Sequence, residues 1–389
     1  MEYKDTFDFP NRMNVSTSGS MQFTANENKW IDFNTGLPVA GYVAPGAEDL
    51  YPALQRYLDV LEKYEDFLLP DYSKFPEPTS IPEDLLITFG ELVEKYDLEA
   101  AVPQIWDSTA QGLGDTIGVP AIWVMQASTT PMVRALLGTA AAAVPPSGRL
   151  YDLYESVAEF LGNDVLYSNT VVRATRQEGK GVYLTTSDTN GKISCIKAKR
   201  LLIAFEPTAE NLKPFAIDET EEDVFNEFEY STVYAGILRH PSLQIFTAYS
   251  NRSPAPGSTN YTVFPVASQV GRIDYLGGTK DLFQFTAVGT EDETAESMKE
   301  LIAQTIDTLI EAGTIPASNG TLEFLTFANH GKMHPHLSAD VLRGGFIQKQ
   351  LALQGRRSTW FTGSAFSAPF STVLWEYNNV LLPSVIEGI

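Results

Sequence analysis

Three of the four histidines fall within seven residues, at His330, His334 and His336. Imidazole nitrogens favour zinc and iron, so metal binding is the first chemistry to weigh. Asp340 is the nearest carboxylate, and no obvious ligand set is completed. Gly331 and Pro335 interrupt the run and mark a loop or a strand end. No metal site is expected. A second run, GLGDTIG from Gly112 to Gly118, is glycine-rich. A dinucleotide turn needs Gly-x-Gly-x-x-Gly directly between a strand and a helix, so that free N–H groups meet a pyrophosphate. Here the spacing is wrong, a helix-like stretch precedes it and Pro120 cuts it off, so a plain turn is expected. The single cysteine, Cys195, shares a strand face with Ile193 and reads as a small core hydrophobe rather than a reactive thiol. No Ser-His-Asp order, phosphate loop or Cys-x-x-Cys is present.

Helix and strand patterns alternate along the 389 residues, which favours a mixed α/β class of two or three domains. Residues 45–64 place Leu50, Leu54, Tyr57, Leu58 and Leu61 on one helical face. A helix is expected to start at Ser80, capped by Ser80 with Glu83. More helix follows over 98–143, then a helix over 148–161 with Leu150, Leu153, Tyr154, Val157, Phe160 and Leu161 as its buried stripe. Strands are expected at 164–174, 181–187 and 193–205, with a turn at Asn190-Gly191. Several more follow over 231–290. A helix from Thr290 to Ala312, capped by Thr290 and Glu293, ends at Gly313. A helix near 338–351, a strand at 359–363 and a final helix from about Ser371 close the chain.

Three segments, taken in order, carry a family pattern: GRLYDLYESVAEFL (Gly148–Leu161) with DVLYSNTVVRAT (Asp164–Thr175); AKRLLIAFEPTAENL (Ala198–Leu212); and LQGRRSTWFTGSAF (Leu353–Phe366) with STVLWEY (Ser371–Tyr377). Together they resemble the FAD-dependent amine oxidases, and within them the β-cyclopiazonate-dehydrogenase-like flavoenzymes of fungal secondary metabolism. The resemblance implies an FAD-linked reductase type of α/β (α+β) fold: an incomplete Rossmann-like nucleotide domain (1–44, 146–215 and 337–389) and a mixed-sheet substrate domain with a helical cap (45–145 and 216–336). It places Val171 or Val172 near the adenine of FAD, and the turn Thr362-Gly363-Ser364 beside the ribityl and pyrophosphate. Ser371 and Thr372 fall at the helix start that points toward the flavin, where backbone N–H groups stabilise negative charge. Ser371 also reads simply as a good N-cap. His330 is the candidate catalytic, cavity-lining residue. The histidine that relatives carry just before the last helix is replaced here by the Ala368-Pro369-Phe370 run, so no proton carrier stands there. Phe370 and Trp360 read as core aromatics.

The family's opening strand, glycine-rich turn and helix are not found. The chain starts where family members are about 100 residues along, in keeping with the absence of one or two βαβ units of about 30 residues or more each. Three readings stay open: a fragment of a longer enzyme, a natural truncation without FAD, or weak flavin binding through the remaining contacts. The leading function is an FAD-dependent oxidoreductase acting on a small secondary-metabolite intermediate. The alternatives are a flavin-free isomerase or cyclase on the same scaffold, and an inactive homologue. A net charge of −22 repels phosphate backbones and anionic lipid, so neither nucleic acid nor membrane is an expected partner. No signal peptide or membrane-length apolar run is visible, and a cytoplasmic location is expected.

Overall fold

The computed structural model describes residues 3–19, 24–253, 264, 266, 268–278 and 280–388. Twelve strands occur among them: β1 (Glu27–Asp32), β2 (Leu37–Pro38), β3 (Asn169–Gln177), β4 (Gly181–Asp188), β5 (Ile193–Ala198), β6 (Leu201–Ile203), β7 (Glu229–Arg239), β8 (Thr247–Asn251), β9 (Gln269–Tyr275), β10 (Phe283–Gly289), β11 (Glu323–His336) and β12 (Thr359–Phe361). They form a mixed seven-stranded sheet ordered β11-β7-β10-β9-β8-β1-β2, an antiparallel sheet β3-β4-β5, and a parallel pair β12-β6.

The large sheet is buried on one face by the helix Ala295–Glu311, whose Met298, Ile302, Ile306 and Leu309 meet Ile273, Phe283 and Phe285. Thr294 caps this helix, accepting from the Ser297 N–H, so it begins later than a Thr290 cap would set it. Glu293 instead bonds the hydroxyls of Ser268 and Ser297. β1 pairs parallel with β8, from Glu27↔Thr247 to Ile31↔Asn251. Residues 27–38 therefore join the large sheet rather than the nucleotide unit expected for 1–44, because their backbone hydrogen bonds are made there.

The helical block spreads its apolar faces over one core. The helix Ala47–Glu62 buries Leu54, Tyr57, Leu58 and Leu61 as its periodicity predicts. The Ser80–Glu83 cap does not form. The chain breaks at Ile87, and Thr88 with Glu91 makes the capping box of the helix Phe89–Tyr96. The hydroxyl and the acid three residues on are read correctly as a pattern but assigned to the wrong pair. The C-terminal helix, Ser371–Ile386, packs Val373, Tyr377 and Leu381 into the same core, where Phe361 and Phe366 stack at 5.6 Å.

Two expectations of burial fail. Cys195 and Ile193 are exposed, because β5 is an edge strand whose outer face is left uncovered. On the helix Tyr151–Leu161 only Leu153 is buried, while Tyr151, Tyr154, Phe160 and Leu161 face outward among the described residues. Among the described residues no helix is long and apolar enough to cross a membrane.

Candidate functional site

Strands β6 and β12 run parallel, with Thr359↔Leu201 and Phe361↔Ile203 in register. Ligands in α/β folds bind outside the carboxyl ends of such strands, because loops leave there with their polar groups uncommitted. The loops after β6 and β12 meet. The Ser364 hydroxyl donates to the Glu206 carboxylate. Burial pushes the Glu206 carboxyl above its ordinary range, and the Ser364 hydrogen bond offsets only part of that. Its Oε2 is shut off from solvent with no hydrogen-bond partner among the described residues, and so is the Tyr230 hydroxyl, which feels the charge of Glu206.

Local chemistry fixes this turn. The Gln354 side-chain amide pairs with both backbone groups of Phe361, accepting from its N–H and donating to its C=O, each at 2.9 Å, as a neighbouring strand would. Thr362 Oγ1 donates to Asn378 Oδ1 at 2.6 Å, tying the strand end to the last helix. Gly363 then takes φ 113°, ψ −175°, a conformation open essentially to glycine alone. A β-carbon there would meet nothing within 4 Å, so the space beside the turn is open.

Ser371 is the first residue of its helix rather than its cap. Phe370 holds the N-cap position and no side chain caps the helix. Its first-turn N–H groups lack intrahelical acceptors by construction. Ser371 and Thr372 line an apolar cavity of about 300 Å³ with Phe370, Trp375, Met132 and Leu153. That volume is at the lower end for a small-molecule pocket, on the order of 300–1,000 Å³.

A second, small cavity of about 20 Å³ lies where the β12 loop meets the helical block and the end of β11, lined by Ser364, Ser367, Tyr72, Trp123, Gln126 and His334. His334 reaches it because β11 slips register twice near its end, between Asn329 and Lys332 and again between Met333 and His336. At φ 51° the residue turns off the sheet. Gly112, in the turn Ala110–Leu113, presents no side chain at the place the imidazole occupies. Burial first, and the charge of His336 second, hold His334 down at about 4, so its ring is neutral at neutral pH.

The structure separates the residues marked in the sequence. Thr362, Gly363 and Ser364 lie together at the β6–β12 end, and Ser371 and Thr372 line the larger cavity. Val171 packs against the core, while Val172 sits at a bulge between Val171 and Arg173 and is exposed. Neither valine lines either cavity. His330 is exposed on β11 and lines neither. His334 is the histidine of this run that lines a cavity. Glu206, Gln126 and Tyr230 were not marked by the sequence reading. Glu206 lay inside a recognised segment, but Gln126 is one polar residue on a helix and carried no signal. The GLGDTIG run is a turn, and its glycines accommodate His334 and Ser231 rather than a phosphate. Among the described residues no group of three or more His, Cys, Asp or Glu is placed to hold a metal ion.

No protein-family model matches the chain. Curated relatives do. An FAD-dependent oxidoreductase of Colletotrichum higginsianum is 31% identical, over 97% of this chain and 79% of that protein. An FAD-dependent oxidoreductase of Monascus ruber is 29% identical over 92% and 74%, and the β-cyclopiazonate dehydrogenase of Aspergillus flavus 28% over 92% and 75%. Among solved structures, a fatty acid isomerase from P. acnes superposes with a TM-score of 0.71 at 15% identity, over 99% of this chain and 86% of that one. Cyclohexylamine oxidase from Brevibacterium oxydans gives 0.55 at 15% identity, over 98% and 84%. These two likenesses establish the fold.

Proposed function

The chain belongs to the family of FAD-dependent oxidoreductases, and on that premise we propose that it oxidises a small secondary-metabolite intermediate, with FAD held by the Gly363 turn and the first turn of the Ser371–Ile386 helix. The observation that carries this reading is the convergence of the β6 and β12 loops, Ser364 on Glu206, beside a glycine whose conformation leaves open space.

The residues present suit the flavin end of such a group. Gly363 lets a ligand approach the backbone closely. The uncapped helix offers free N–H groups and the positive end of its dipole where negative charge would collect. The apolar walls of the larger cavity exclude water. When bound, FAD supplies the acceptor for a hydride. The chain supplies orientation, the dipole and a dry pocket. Val172, exposed on β3, is the better placed of the two valines to meet a ligand. The division into a nucleotide unit and a substrate unit is retained, with residues 27–38 moved to the substrate sheet.

A flavin-free isomerase or cyclase is the second reading. The apolar cavity beside Ser371 and Thr372 suits this reading as well, since an apolar pocket can orient a substrate without a cofactor. The purified protein separates the two. Flavin absorbance, and a melting temperature that rises with added FAD, support the oxidoreductase; at 100 times Kd the stabilisation is about 2.7 kcal/mol. A colourless protein, indifferent to FAD, sinks that reading, and conversion of a pathway intermediate by such a protein establishes the second.

A further inference from the structure

Gln126 is 4% exposed and its side chain is half committed. Nε2 donates to the Leu68 carbonyl at 3.0 Å. Oε1 has no hydrogen-bond partner among the described residues. Gln126 lines the small cavity together with His334. Three other polar side chains on the wall already have partners: Trp123 Nε1 donates to Leu337 O at 2.8 Å, Ser367 Oγ to Pro70 O at 2.6 Å, and Ser364 Oγ to Glu206, which leaves the Tyr72 hydroxyl as the remaining polar group. A buried acceptor left unpaired is costly, so such atoms mark places where a ligand or water completes the set.

We propose that Gln126 and His334 together recognise one uncharged N–H or O–H group at the tip of the substrate. This deepens, and rests on, the reading of the chain as an enzyme of small metabolites. The volume sets the size of the tip. About 20 Å³ admits one water or one group of that size, such as a hydroxyl or a neutral amine. The available atoms set its chemistry. Gln126 Oε1 accepts a hydrogen bond, and a neutral imidazole offers one donor and one acceptor. A hydroxyl or neutral amine that donates to Gln126 Oε1 and accepts from an imidazole N–H pairs with both residues at once, whereas a methyl group leaves Oε1 unpaired. An ammonium is disfavoured, because among the described residues no carboxylate lines the cavity.

The test uses the whole protein labelled with 15N-histidine, whose four histidines give resolvable ring signals. Benzyl alcohol is the probe and toluene its control without a polar tip. The expected result is that benzyl alcohol shifts the His334 ring nitrogens and binds at least about tenfold more tightly than toluene, as one well-made hydrogen bond in a buried site allows. In His334→Asn this preference shrinks toward equality while toluene binding is unchanged. A silent His334 signal, or a preference intact in His334→Asn, overturns the proposal. If that variant fails to fold, the wild-type shift still decides, with the signal identified by replacing His240, His330 and His336 in turn. Flavin absorbance is read on the same samples. A colourless protein with a responding His334 refutes the cofactor reading alone, and a flavin-loaded protein with a silent His334 refutes this proposal alone.

Discussion

Gly112 lies against His334 so closely that a β-carbon on Gly112 would overlap the imidazole, nearest at Nε2. The missing side chain of one residue thus makes the seat of the other, and the contact joins the helical block to the end of β11.

Gly112→Ala is therefore expected to expel the ring from the cavity or to force the Ala110–Leu113 turn away from it. Overpacking of this kind costs about 1–3 kcal/mol. Chemical denaturation should show that loss, and the His334 ring signal should move toward a solvent-exposed position. An unchanged signal at unchanged stability would show that the imidazole does not occupy this seat.

His334 also makes stability depend on pH in a definite direction. Its folded value of about 4 lies below the ordinary 6.5, so between those values the unfolded chain binds the extra proton. The contribution is fully present above pH 6.5 and is lost as pH falls toward 4. A depression of this size corresponds to about 3 kcal/mol, at about 1.4 kcal/mol per unit. His334→Asn keeps a residue that tolerates φ above zero and removes the titration. Its unfolding free energy should fall less steeply than that of the wild type over this window. Parallel curves would refute the assignment.

Arg176 on β3 and Glu221 form a fork-to-fork pair at 2.6 and 2.7 Å, with side chains 0% and 1% exposed. Arg176 Nε also donates to Phe215 O at 2.8 Å, and Arg357 reaches Glu221 Oε2 at 3.0 Å. Arg176→Met leaves the buried Glu221 carboxylate with Arg357 alone as its cationic partner among the described residues, and should cost up to about 3–5 kcal/mol. Arg176→Met with Glu221→Leu removes both charges and should recover much of that loss, since Arg357 is partly exposed and can be solvated. Equal destabilisation of the single and double variants would show that packing, not charge, holds this joint.

How much of this was legible beforehand follows from the range of the forces involved. The Ala47–Glu62 and Ala295–Glu311 helices were readable because an apolar stripe at 3.6-residue spacing is a local property. The capping pairs were misassigned because several hydroxyl–acid spacings compete and packing decides between them. The exposed Cys195 face was misread because alternation tells which residues share a face, not whether anything covers it.

By itself the sequence determined the mixed class and the ordered family segments, and the turn at Gly363 was implied only by the family resemblance; the structure gives that glycine φ 113°. Only the tertiary structure decided that β1 joins the large sheet, that Val171 packs inward beside the bulge at Val172, and that His334 rather than His330 lines a cavity. Each of those depends on hydrogen-bond register or on contact between residues far apart in the chain, such as Gly112 with His334 and Glu206 with Ser364. Spacing along one strand carries no information about which distant backbone will lie beside it.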